Sequence, residues 1–88
     1  MPLFARTILI TGPAEDAEPV SAEHLEHLAQ LDREGRLRVA GRFNSGDGFL
    51  EIFEAADLKE AQRIGESSPL IREGLGTWMM REWTEITP

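Results

Sequence analysis

His24 and His27, three residues apart, are the only side chains in this 88-residue sequence that titrate near neutral pH without help from their surroundings. At about 100° per residue, His24 falls between Leu28 and Leu31 on the apolar stripe of an amphipathic segment and so points inward. His27 lies about 60° to one side, at the border of the face carrying Glu23, Glu26 and Gln30, where a solvated side chain is expected. An inward imidazole has two readings: a core-edge histidine held by a backbone carbonyl, or a group that gives and takes protons on a ligand. The spacing alone leaves both open. A metal site on the pair is not expected, because no third ligand accompanies it and the inward histidine points into leucines.

Ser68 precedes Pro69, the arrangement of a helix N-cap followed by a proline in the first turn, which accounts for the serine structurally. No activated Ser-His-Asp set is visible to make it a nucleophile. The amides of that short helix could hold an anion beside His24 if the two segments meet. Arg36, Arg38 and Arg42 recur at period two, so they share one strand face, either as guards of a sheet edge or, with Arg42 the best candidate, as a clamp for a carboxylate. Trp78, Met79, Met80 and Trp83 read as core and interface. No phosphate loop or dinucleotide fingerprint occurs, and no cofactor is expected.

Composition narrows the classes of partner. Nine basic against sixteen acidic side chains give a net charge of −7, which opposes attraction to nucleic acid or an anionic membrane surface. The absence of cysteine removes disulfides, thiolate nucleophiles and cysteine-built metal sites. No window approaches eighteen apolar residues, and Met1 to Ile10 shows neither a basic leader nor a small-residue cleavage site, so a cytoplasmic protein is expected. Eighty-eight residues make one small domain, near the size at which self-association commonly adds stability.

The elements that must position these residues follow from period and punctuation. Leu3 to Thr11 is a strand stopped by Gly12-Pro13, and Ala14 to Val20 is an acidic surface loop. Ser21 caps a helix running from about Ala22 to Glu34, with Leu25, Leu28 and Leu31 as its stripe and Gly35 as its stop. Arg36 to Phe43 alternates as a strand, and Asn44-Ser-Gly-Asp-Gly48 turns it into a second, Phe49 to Phe53. Asp57 and Glu60 form a capping box for a helix ending near Ser67, Ser68-Pro69 opens a short helix closing at Gly74 or Gly76, and Thr77 to Ile86 is the last strand.

The order strand, helix, strand, strand, helix, strand is that of a ferredoxin-like α+β sandwich, with helices on one face of a four-stranded antiparallel sheet. The strands carry large apolar residues on both faces: Phe49 and Phe53 opposite Leu50 and Ile52, Met79 and Trp83 opposite Trp78 and Met80. A bare face of that kind predicts a homodimer, with a second sheet from another copy covering it.

The run from His24 to Gly41, Ala61 in the second helix, and Ser68-Pro69-Leu-Ile-Arg-Glu-Gly74 before a last strand resemble, in order and spacing, the YCII-related domain family over nearly the whole chain. The resemblance implies a single domain over 1–88 and a dimeric α+β barrel of two ferredoxin-like sheets packed face to face. It also implies lyase- or isomerase-like proton transfer at His24 on a small ring metabolite, anionic if Arg42 binds it. The family pairs its histidine with an aspartate, and at that position this chain has Ser68. The glycine-proline step after the second strand is here Gly41-Arg42. A hydroxyl can hydrogen-bond an imidazole but brings no charge, so the alternative implied is a non-catalytic ligand-binding or accessory dimer.

Overall fold

The computed structural model describes residues 1–88. Its elements in chain order are β1 (Leu3–Ile10), α1 (Ala14–Arg33), β2 (Leu37–Arg42), β3 (Gly48–Glu54), α2 (Leu58–Glu66), α3 (Pro69–Arg72) and β4 (Gly76–Trp83). The strands form one antiparallel sheet in the order β2-β3-β1-β4, the ferredoxin-like arrangement.

Helix α1 begins eight residues before the expected Ala22, and the segment expected to be a loop is helical. The inward stripe reaches back through Val20 to Ala17, which is buried, and Glu15 and Asp16 supply the negative charge that suits a first turn. Pro19 inside the helix withholds one backbone donor. That loss is tolerated because Ala17 and Val20 bury apolar surface. Ser21 therefore caps nothing; Pro13 occupies the cap position. The buried face of α1 is Ala17, His24, Leu28 and Leu31, whereas Leu25, expected on the stripe, lies about 100° from His24 and is 46% exposed. Gly35 adopts φ 74° and lets the Arg36 amide return to the Leu31 carbonyl at 2.9 Å, closing the helix as expected.

The hairpin and the capping box form as expected. The Glu60 amide donates to Asp57 Oδ1 at 2.8 Å, and Glu60 reaches back to the Ala56 amide at 2.9 Å. Strand β2 lies at the sheet edge but carries a register irregularity between Leu37 and Val39. Leu37 pairs with Phe53 and joins the core, while Val39 pairs with Ile52 on the opposite face. The bulge breaks the period of two, so the three arginines do not share a face. Arg36 pairs with Glu60, Arg38 with Glu85, and Arg42 packs over the Phe49 ring.

The helix-covered face of the sheet holds two apolar clusters. One is Phe4, Phe53, Ala55 and Ala61; the other is Ile8, Phe49 and Leu70, flanked by Trp78. Each inner strand carries one charged residue between them, in the sequence Phe4-Arg6-Ile8 on β1 and Phe53-Glu51-Phe49 on β3. The open face carries Leu9, Val39, Leu50 and Met79, all more than 40% exposed, beside Ile52 and Trp83. Phe49 and Phe53 thus share the covered face with Trp78 and Met80, and Leu50 and Ile52 share the open one with Met79 and Trp83.

Candidate active site

Four side chains with no solvent exposure form a continuous polar chain between the two apolar clusters: Arg6 from β1, Glu51 from β3, His24 from α1 and Ser68 from the α2–α3 junction. Arg6 and Glu51 are direct cross-strand partners, so the β1–β3 register alone places a cation beside an anion. Arg6 Nε donates to Glu51 Oε1 at 2.6 Å, and Arg6 Nη1 donates to the Gly65 carbonyl at 3.0 Å. Gly65 lets the Trp78 ring approach closely beside that carbonyl, since a Cβ there would meet the ring at 3.0 Å and push it back by a few tenths of an ångström. Arg6 Nη2 also lies 2.6 Å from Glu51 Oε1, so the contact is an ion pair as well as a hydrogen bond.

His24 is held at both ring nitrogens. Nε2 lies 2.7 Å from Glu51 Oε2 and Nδ1 lies 2.8 Å from Ser68 Oγ. Burial by itself would raise the Glu51 pKa, but the hydrogen bond from His24 and the positive charge of Arg6 outweigh it and hold the carboxyl below its ordinary value. An ionised Glu51 only accepts, so the His24 Nε2 must carry a hydrogen. A neutral ring then leaves Nδ1 to accept from the Ser68 hydroxyl, and a protonated ring donates from Nδ1 to Ser68 Oγ. Ser68 is the one neighbour that can serve either state, because a hydroxyl both donates and accepts.

Two expectations change here. Ser68 does sit at the N-cap of α3, but its hydroxyl makes no cap bond and is directed to His24 instead. His24 does not lack a carboxylate; it meets one at the opposite nitrogen, from a strand remote in sequence. Ser68, His24 and Glu51 thus form a serine-histidine-carboxylate line that no local spacing disclosed. A signal for it existed: Arg6 and Glu51 occupy inward positions of strands whose other inward residues are Phe4, Ile8, Phe49 and Phe53. Opposite charges at buried positions of two strands usually imply that the strands pair there.

His27, expected in solvent, is half-buried. Its ring stands 5.6 Å from that of His24, and its Nε2 is buried without a protein hydrogen-bond partner. Desolvation, then the positive charge of Arg6, lowers its pKa to about 4, so the ring is neutral near pH 7. No three His, Asp or Glu side chains converge as a metal ion would require.

Arg42 stands apart from this chain. It lines a cleft of about 590 Å³ between the N-terminal half of α1 and the β2–β3 turn, with Ile10, Leu25, Asp47 and Phe49. A second hollow of about 310 Å³ adjoins Leu25, Leu28, Ala40, Arg42 and Phe49. Phe49 closes both on the inner side, and its ring lies 4.7 Å from that of His24. The structure therefore brings His24 and Ser68 into contact and leaves Arg42 across the Phe49 ring from them.

Known proteins resemble the chain at three levels. The sequence pattern of the family described as YCII-related domain matches residues 5–86. An uncharacterised protein of Bacillus subtilis (strain 168), YjpA, is 37% identical over 62 residues, which is 70% of this chain and 73% of YjpA. In solved structures, 5-chloro-2-hydroxyhydroquinone dehydrochlorinase (TftG) of Burkholderia phenoliruptrix AC1100, in complex with 2,5-dihydroxybenzoquinone, superposes with a TM-score of 0.77 at 22% identity, covering 93% of each chain. Muconolactone isomerase superposes with a TM-score of 0.78 at 17% identity, covering 96% of this chain and 90% of the isomerase. At those identities the two superpositions establish a shared fold. No helix of the chain is long and apolar enough to cross a membrane.

Proposed function

We propose that this chain, which belongs to the YCII-related domain family, is a small-molecule enzyme that moves a proton on a ring-containing metabolite through Ser68 and His24. The observation that carries the reading is the Arg6-Glu51-His24-Ser68 chain, wholly buried where apolar side chains of similar volume would stabilise the fold as well or better. In the proposed step, Ser68 Oγ takes a proton from the substrate as its own hydroxyl proton passes to His24 Nδ1. The resulting imidazolium is held against the Glu51 carboxylate, and the reverse transfer returns the proton to a different substrate atom or to a leaving group. Arg42 would bind an anionic substituent from the cleft side. That the two solved neighbours are named for a hydroxyhydroquinone and a lactone supports a ring substrate.

A second reading has its own support. His24, Glu51 and Ser68 have no exposed surface, and the cleft stops at Phe49, as suits a ligand-binding or accessory protein without turnover. A metabolite screen by thermal shift, followed by turnover assays of each hit with the wild type, His24→Asn and Ser68→Asp, separates the two. Turnover abolished by His24→Asn supports the enzyme. Binding without turnover in the wild type and in Ser68→Asp supports the accessory protein, and turnover that survives His24→Asn unchanged rules out the mechanism.

The open sheet face supports a homodimer in which a second copy covers Val39, Leu50 and Met79. Sedimentation at micromolar concentration tests it, and a monodisperse 9.8 kDa species would overturn it.

A further inference from the structure

The Phe49 ring is in contact with both of the groups that a ligand would be expected to meet. The His24 imidazole lies 4.7 Å from it at a tilt of 52°, and the Arg42 guanidinium carbon lies 5.3 Å from its centroid. Arg36 and Arg38 have carboxylate partners, whereas Arg42 forms no ion pair and rests on this ring. Phe49 is 2% exposed, yet it walls both hollows, and beyond it lie Ile8, Leu70 and the buried polar chain.

We propose that the Phe49 ring occupies the seat of a ligand's ring: it swings into the cleft when a monocyclic aromatic carboxylate enters, and the ligand takes its place between His24 and Arg42. This rests on the proton-transfer reading for its location and deepens it by naming the ligand class. The seat offers an imidazole and the apolar walls of Ile8 and Leu70 to a flat ring. At the cleft side it offers a guanidinium whose present contact with the Phe49 face is weak and readily exchanged for a carboxylate. The 590 Å³ cleft provides room for the displaced phenyl group. The free protein then binds such a ligand with an affinity reduced by the fraction of time the seat is open.

The test uses benzoate, with benzyl alcohol as its uncharged counterpart, followed by calorimetry and by the His24 ring resonances. Wild-type protein is expected to bind benzoate in preference to benzyl alcohol, with the His24 and Phe49 ring signals shifting together. Phe49→Ala is expected to bind benzoate about tenfold more tightly, as follows if the seat is open about a tenth of the time. In that background Arg42→Gln is expected to abolish the preference for benzoate. Should Phe49→Ala not fold, Phe49→Leu carries the same comparison, with a gain of about threefold expected for a partly emptied seat. Benzoate that leaves the His24 signals unmoved in both wild type and variant overturns the proposal, because the ligand then stays in the outer cleft. Equal affinity of Phe49→Ala for benzoate and benzyl alcohol also overturns it, since any emptied apolar hole would behave so. Binding at the seat without turnover of any metabolite leaves this inference standing while removing the enzymatic reading.

Discussion

Glu51→Gln keeps the shape of the side chain and removes its charge, which makes it the sharpest probe of the buried chain. Arg6 has no solvent exposure, and Glu51 is its only ion-pair partner. The substitution leaves a guanidinium buried against a neutral amide, for which a loss of about 3–5 kcal/mol is expected. An 88-residue chain has a total stability of about 4–13 kcal/mol, so the loss would remove at least about a fifth of it. Urea unfolding followed by the fluorescence of Trp78 and Trp83, at fixed protein concentration in case the protein associates, reads this as a fall in midpoint without a change of slope. Replacing both partners, Arg6→Met with Glu51→Leu, removes the uncompensated charge. It is expected to recover part of the loss, the remainder reflecting the His24 Nε2 left without an acceptor at about 1–3 kcal/mol. A Glu51→Gln protein within about 1 kcal/mol of wild type would refute the reasoning, as would a double variant less stable than Glu51→Gln.

Acid should weaken the fold through His27, whose pKa is about 4 in the folded chain against 6.5 for a free histidine. The unfolded chain binds the additional proton between those values, so stability is lost as pH falls from about 6.5 to 4. The full shift corresponds to ~3 kcal/mol, and screening by the solvent around a half-exposed ring reduces it to ~1–2 kcal/mol. His27→Gln should flatten the urea midpoint across that window, and an unchanged slope would exclude the histidine as its source. Below about pH 4.5, loss of the Glu51 charge should destabilise further, since a carboxyl whose pKa is lowered on folding stabilises only while ionised. Met79→Glu on the open face should dissociate the proposed dimer in sedimentation with little change to the helix-covered core, and a variant that still sediments as a dimer would place the interface elsewhere. Gly65→Ala should shift the Trp78 fluorescence, because its Cβ would press on that ring, while the urea midpoint changes by less than about 1 kcal/mol as the gain in helix propensity offsets the contact, and an unmoved Trp78 signal would refute the contact.

Much of the architecture is written in local periodicity. The inward turn of His24, the stop at Gly35, the hairpin through Asn44 to Gly48 and the Asp57 cap all depend on residues within a few positions of one another. The sequence resemblance went further and joined His24 to Ser68 across 44 residues, and their side chains lie 2.8 Å apart in the folded chain. Where an expectation failed, a distant contact outweighed a local rule. Ala17 and Val20 bury enough to carry α1 through Pro19, and the bulge at the start of β2 turns Arg36, Arg38 and Arg42 to different partners.

The charges of the candidate site belong to the tertiary structure alone. Arg6 and Glu51 are 45 residues apart, and although their inward positions hint that the two strands pair, only the β1–β3 register stands them opposite each other. A slip of β3 by one residue would turn Glu51 to the open face and leave both Arg6 and His24 without an anion. The Ser68 hydroxyl likewise had a local partner in its own helix and instead points to an imidazole supplied by α1. Sequence periodicity determines which way a residue faces, because facing depends on its neighbours along the chain. Which partner it meets depends on register and packing, because a buried polar atom must be satisfied by whatever the fold brings within hydrogen-bonding reach.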